Sequence, residues 1–273
     1  MTQSQLSVAV VQLNSQHCEQ DNLQHVQQLV GEAASRGARL ILLPENAIYM
    51  GHERKPAEIA VDLVAGNAVF DGLRKAARNA NAWVIVGGIA QRAGDPMRAY
   101  NTCAVFDPSG SLRYTYRKMH LYDVALMDGT TMYESHGYVA GDRPVCAEID
   151  GFRVGLSICY DLRFPELYRR LTAMGAELIV VPAAFTMSTG KDHWHVLLRA
   201  RAIENQAYVL AAGQWGRHGK KRHTYGHSMI VDPWGTVVAQ CSDGVGICYH
   251  CVDREYLQQV RTALPALRHR RIF

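Results

Sequence analysis

Two hydrophobic rhythms alternate along the chain. Residues 6–12 (LSVAVVQ) form an apolar run of strand length. They lead into residues 21–36, where Leu23, Val26, Val30 and Ala33 recur at the spacing of one helix face, and Gly37 follows where helices commonly stop. The order then repeats. Residues 39–43 are a buried-strand run, residues 69–79 carry Val69, Leu73 and Ala76 in helical register, and residues 83–87 (WVIVG) are apolar throughout.

The middle changes rhythm. Residues 102–106, the turn DPSGS and residues 112–117 predict a β-hairpin, with Gly110 available for the positive φ that such turns need. A second hairpin is predicted from residues 228–231 and 236–239 around DPWG. Between them the strand–helix order returns, with strands at 154–158, 178–181 and 208–212. One helix starts at Pro165 as its first residue, and another spans 192–205 with Asp192 as its N-cap. Strand–helix units mixed with hairpins predict an α/β fold, an α-β-β-α sandwich of two mixed sheets flanked by helices. No low-complexity segment, heptad run or Pro/Ser-rich linker interrupts the pattern, so residues 1–273 are expected to form a single domain.

Composition narrows the class. At 273 residues, 48% hydrophobic and 20% charged, the chain can bury a large core. Its net charge of +4 comes partly from Arg268, His269, Arg270 and Arg271, so no basic face for nucleic acid is implied. The stretch MTQSQLSVAVVQLN has no basic leader followed by an apolar core, and no later run approaches the roughly 20 apolar residues that span a bilayer. The expectation is a cytoplasmic protein without a membrane partner. Seven irregularly spaced cysteines in a chain this long point to free thiols.

Three polar residues stand at the ends of apolar segments. Glu45 closes ARLILLPEN, where a sheltered carboxylate is expected to have a raised pKa that fits it for general-base work. Cys159 follows the strand at 154–158 in RVGLSICYDLRFPEL and precedes the turn that Pro165 ends, a geometry that aims backbone N–H groups at a nucleophile. Lys118, in TYRKMHLYD, comes just past a hairpin strand, where its ammonium would lower a thiol pKa and stabilise an oxyanion. Each has an ordinary alternative: a surface or cap acid, a buried structural cysteine, an exposed lysine.

Together these segments resemble the nitrilase superfamily of carbon–nitrogen hydrolases, whose Glu-Lys-Cys triad they match in type and chain order. LLPEN, YRKMHLYD, SICYDLRFPELYR, PAAFTMSTGKDHWHVLLRARAIENQAYV and YGHSMIVDPWGTVVAQ each resemble a block of that superfamily. The resemblance implies Glu45 as general base, Cys159 as nucleophile, and an oxyanion hole of Lys118 and the Tyr160 backbone N–H. Glu134, in MYESHG, falls where a second catalytic glutamate often stands. The implied reaction runs through a thioester on a small-molecule amide and requires no metal or organic cofactor.

The C-terminal blocks look most like the Nit branch, particularly its deaminated-glutathione amidases, which release 2-oxoglutarate and Cys-Gly. A neighbouring group acts on 2-oxoglutaramate and 2-oxosuccinamate. Both substrate classes carry a carboxylate, for which Arg163 is the candidate clamp, with Thr186 as a further donor. Arg163 has a structural alternative, a pair with Glu166. The resemblance also implies a homodimer or higher homo-oligomer, built near the helix that carries Trp194, Leu197, Leu198 and Arg201.

Other signals lead elsewhere. Cys248 and Cys251 have knuckle spacing, but no second pair stands at a suitable distance, and an offset of three on a strand turns the thiols to opposite faces. Gly87 and Gly88 lack a dinucleotide fingerprint and are expected to permit close backbone approach. An N-carbamoyl or aliphatic amide hydrolase and a non-catalytic binding protein of the same fold stay open as alternatives. A papain-type protease lacks an evident Cys-His pair.

Overall fold

Side chains of the first strand point alternately into two different cores. Within Gln5–Gln12, Val8 and Val10 enter an interior shared by two sheets, while Ala9 and Val11 face the helices outside. Leu40–Leu43 divides the same way, Leu40 and Leu42 to one side and Ile41 and Leu43 to the other. Both faces are covered, which is why the run LILL shows no alternation. The structure is a computed structural model that describes residues 4–51, 53–127, 129, 131–220 and 222–272. The first three residues of the amino-terminal stretch, and Lys221 in the segment GRHGKKRHTYGHS, lie outside the described residues.

Among the described residues, a seven-stranded sheet runs Gly246–Asp253, Gln5–Gln12, Leu40–Leu43, Trp83–Arg92, Ala99–Phe106 and Leu112–Arg117, with Tyr138–Val139 beside Ala99. A six-stranded sheet runs Val237–Gln240, Met229–Val231, Tyr208–Gly213, Leu178–Ala183, Phe152–Leu156 and Cys146–Ile149. Each is mixed, with three parallel strands at its centre and antiparallel strands outside. Helices Glu19–Ser35 and Ala68–Ala80 cover the first sheet through Val26, Val30, Leu73 and Ala77. Helices Pro165–Ala173 and Met187–Asn205 cover the second through Tyr168, Leu171, Trp194 and Leu198. The architecture is the α-β-β-α sandwich that the alternation predicts.

Three details depart from expectation. The last-named helix begins at Met187, with Thr186 and not Asp192 at its N-cap position. Gly190, a poor helix former, sits inside its first turns because a Cβ there would collide with Tyr225. The strand expected at 83–87 runs on to Arg92, and its pairing register shifts between Val86 and Ile89, across Gly87 and Gly88. The strand expected at 102–106 starts at Ala99.

Cys248 is buried and Cys251 exposed on the strand Gly246–Asp253, so their thiols do face apart. Among the described residues no helix is long and apolar enough to cross a membrane, and no group of three or more His, Cys, Asp or Glu is placed to hold a metal.

Candidate active site

The C-terminal ends of parallel strands are where α/β sheets present ligand-binding residues. Leu40–Leu43 is followed by Pro44 and Glu45, Phe152–Leu156 by Ser157, Ile158 and Cys159, and Leu178–Ala183 by Ala184. Lys118 arrives from an antiparallel strand, Leu112–Arg117, and its backbone N–H donates to Asn101 O at 2.8 Å. Two sheets thus deliver their polar ends to one place.

That place is a cavity of about 520 Å³. Its lining includes every residue singled out from the sequence: Glu45, Lys118, Glu134, Cys159, Tyr160, Arg163 and Thr186. Glu45 and Lys118 are nearly inaccessible, at 4% and 2% exposure. Lys118 Nζ donates to Glu45 Oε1 at 3.1 Å and to Glu134 Oε1 and Oε2 at 2.9 and 2.8 Å. Asn101 Nδ2 donates to both carboxylates, at 2.9 Å to Glu45 and 3.0 Å to Glu134. The backbone N–H of Ala184 donates to Glu45 Oε2 at 3.0 Å. The Cys159 thiol and the Glu45 carboxylate stand close enough that each bears on the other's protonation.

Cys159 has φ +48°, a left-handed conformation that non-glycine residues adopt at a cost. It opens the 3₁₀ turn Cys159–Arg163, in which Tyr160 is the second residue. The first N–H groups of such a turn have no acceptor inside it, so the Tyr160 N–H is available to a ligand oxygen. Asp161, fully buried, fixes the turn. Its Oδ2 accepts from Ile158 N at 2.8 Å and from the Tyr116 hydroxyl at 2.7 Å. Its Oδ1 accepts from His120 N at 3.1 Å and lies 2.7 Å from His120 Nδ1. Tyr116 and His120 flank Lys118, so one carboxylate ties the cysteine turn to the lysine segment.

Gly88 makes room for the base. It has φ +67°, and a Cβ there would stand 2.5 Å from Glu45 Cγ and 3.0 Å from Asn46 N.

The electrostatics correct two expectations. Burial penalises the charge on Glu45, but Lys118 and hydrogen bonds from Asn101 and Cys159 outweigh it, so its pKa is lowered below the usual 4.5 and not raised. Burial, then the charge of Glu45, push the Cys159 thiol well above its ordinary value against the pull of Lys118. Burial also opposes the charge on Lys118, yet Glu134 and Glu45 together raise its pKa well above the usual value. The resting cluster is a carboxylate, an ammonium and a neutral thiol, because two carboxylates already share the one ammonium.

Arg163 makes no ion pair with Glu166 among the described residues. Its Nη1 lies 3.2 Å from His193 Nδ1, and its guanidinium sits over the Phe185 ring at 5.2 Å. Thr186 Oγ1 lies 2.9 Å from Thr189 Oγ1 and 3.4 Å from Ser188 Oγ. Asn101, Asp161, Ala184 and Arg222 escaped the sequence reading although they line or brace the site. In the sequence Asn101 precedes the strand expected at 102–106, so nothing there marked it as a buried donor.

A half-buried thiol beside a carboxylate and an ammonium, at the strand ends of an α-β-β-α sandwich, defines a thiol hydrolase of acyl compounds. The family described as carbon-nitrogen hydrolase matches residues 7–262. A protein of Synechocystis sp. named deaminated glutathione amidase is 43% identical over 265 residues, which cover 96% of this chain and 97% of that one. The Homo sapiens protein of the same name is 43% identical over 271 residues, covering 97% of this chain and 82% of its own. The crystal structure of the Caenorhabditis elegans NitFhit protein superposes with a TM-score of 0.92 at 38% identity. That match covers 99% of this chain and 66% of the worm protein. The chain belongs to the carbon-nitrogen hydrolase family, and it is an amidase.

Proposed function

We propose that the protein hydrolyses deaminated glutathione to 2-oxoglutarate and Cys-Gly, with Cys159 as nucleophile, Glu45 as general base and Lys118 as oxyanion partner. The observation that carries the mechanism is the cluster in which Lys118 Nζ bonds the Glu45 carboxylate at 3.1 Å beside the Cys159 thiol in one cavity. Cys159 Sγ attacks the amide carbon while its proton passes to Glu45, and the oxygen becomes an oxyanion facing Lys118 Nζ and the Tyr160 N–H. Collapse breaks the carbon–nitrogen bond, and the proton on Glu45 leaves with the amine. Glu45 then takes a proton from water as it attacks the thioester, and that proton returns to sulfur as the acid departs. Glu134, bonded to both Lys118 and Asn101, orients the ammonium and faces the departing amine.

The substrate assignment draws on the relatives' names and on a cavity in the range that holds ligands of tripeptide size. Arg163 and Thr186 contact the substrate's polar ends. In a single domain spanning 1–273, located in the cytoplasm, two copies pair through the face that exposes Val196 and Ile203, with Trp234 beside it. A sedimentation mass of one chain at micromolar concentration excludes that pairing.

The experiment compares release of Cys-Gly from deaminated glutathione with release of ammonia from 2-oxoglutaramate. The expected result is a higher kcat/KM for the former, and loss of both activities in Cys159→Ala with an unchanged circular dichroism spectrum. A much higher efficiency on 2-oxoglutaramate makes the protein an amidase of the smaller acid. Survival of activity in Cys159→Ala overturns the mechanism.

A further inference from the structure

Besides Lys118, the cavity lining includes Arg54, Lys55, Arg163 and Arg222, of which Lys55 is exposed to solvent. Arg54 pairs with Glu19 at 3.3 Å and donates to Glu58 O, and Lys118 is held by two carboxylates. Arg163 leans on His193 and the Phe185 ring. Arg222 differs. Among the described residues its guanidinium has no ion pair, and its Nε is withdrawn from solvent without a hydrogen-bond acceptor.

A buried donor on a permanently charged group loses its water for nothing unless a ligand replaces it. Arg222 also sits on anchored backbone. It starts the strand Arg222–Tyr225, which pairs with Trp215–His218, and two docking contacts hold that hairpin to the cavity wall. Tyr225 N donates to Phe185 O at 2.9 Å, and Thr224 bridges to Thr186. A close approach of Tyr225 to Gly190 packs the hairpin on the helix as well.

Position separates Arg222 from Arg163. Arg222 reaches the cavity from the hairpin strand Arg222–Tyr225, whereas Arg163 ends the turn that Cys159 opens. Two separate elements therefore bring a guanidinium to the one cavity. A substrate with a carboxylate at each end of its scissile amide has one anion for each.

We propose that Arg222 binds a carboxylate of the substrate and, with Arg163 in the same cavity, selects amides that carry an anion at each end. This rests on the amidase reading of the same site. A planar guanidinium matches a carboxylate with two parallel bonds, so a lysine in its place keeps the charge and loses the fork.

The test uses the full chain and four amides: deaminated glutathione, with two carboxylates; 2-oxoglutaramate, with one on the acyl side; butyryl-Cys-Gly, with one on the amine side; and neutral butyramide. For Arg222→Gln, kcat/KM on deaminated glutathione should fall roughly 10- to 100-fold, the worth of one charge-assisted contact, with little change on butyramide. A parallel loss on 2-oxoglutaramate places Arg222 on the acyl side, and a parallel loss on butyryl-Cys-Gly places it on the amine side. Arg222→Lys should recover part of either loss. An equal loss on all four amides, butyramide included, makes Arg222 a structural residue and overturns the proposal, as does no loss on any.

Calorimetric titration of 2-oxoglutarate and of Cys-Gly into Cys159→Ala, with and without Arg222→Gln, measures the contact without turnover. Weaker binding of one of them in the double variant supports the proposal, and equal binding of both contradicts it. Inactivity of the unaltered protein on all four amides instead refutes the amidase substrate class, a result separate from the Arg222 comparison.

Discussion

The neutral resting thiol of Cys159 is the residue-scale fact with most chemical consequence. Many reactive cysteines are thiolates because a cation stands beside them unopposed. Here Lys118 is shared between Glu45 and Glu134, so its charge is spent before it reaches the sulfur. The proton must then leave during attack, and Glu45, beside the thiol, is the group placed to take it. The pH profile follows. Glu45 works as the carboxylate, and its pKa is lowered, so activity is present above that pKa and is lost as pH falls through it, below about 4.5. The thiol is pushed up, so no rising limb from thiolate formation should appear between about pH 6 and 8. A kcat/KM profile on deaminated glutathione is expected to be flat there. A rate that climbs tenfold per unit through neutrality contradicts the assignment of Glu45 as base. Glu45→Gln should lower kcat roughly 100-fold or more, in the range of general-base contributions.

At the scale of elements, one side chain joins two of them. Asp161 accepts from Ile158 N and Tyr116 on one oxygen and from His120 on the other, tying the cysteine turn to the segment that carries Lys118. Asp161→Ala leaves a buried hydroxyl and two N–H groups without acceptors. The expected cost is about 3 kcal/mol or more in urea unfolding, with a fall in kcat larger than any change in KM. A cost below about 1 kcal/mol contradicts this bracing role. Much at this scale was visible beforehand: Glu45, Lys118 and Cys159 each end an apolar run, and a polar residue that terminates a buried strand is an uncommon arrangement. Asp161 was hidden because, two residues past a cysteine, it looks like any turn acid. Ala184 was hidden because it acts through its N–H, which every residue but proline has. Arg222 stands in a basic run, GKKRH, and nothing in such a run says which cation turns inward. The helix starts at Met187, ahead of the expected Asp192, and holds Gly190 in its first turns where Tyr225 approaches.

The whole molecule explains why the cluster is buried and still reachable. Two mixed sheets pack face to face, each with parallel strands at its centre, and both send strand ends to the same cavity. Local pattern predicted the layers. It did not predict that Gln5–Gln12 pairs with Gly246–Asp253 from the other end of the chain, since pairing across such a separation leaves no mark in either segment. The central claim is that the acyl group passes through a thioester on Cys159. The most direct measurement is mass spectrometry of the protein quenched in acid within milliseconds of mixing with deaminated glutathione. The account predicts one 2-oxoglutaryl group on the peptide containing Cys159, and neither adduct nor turnover in Cys159→Ala. An adduct on another residue, or turnover that persists in Cys159→Ala, contradicts it.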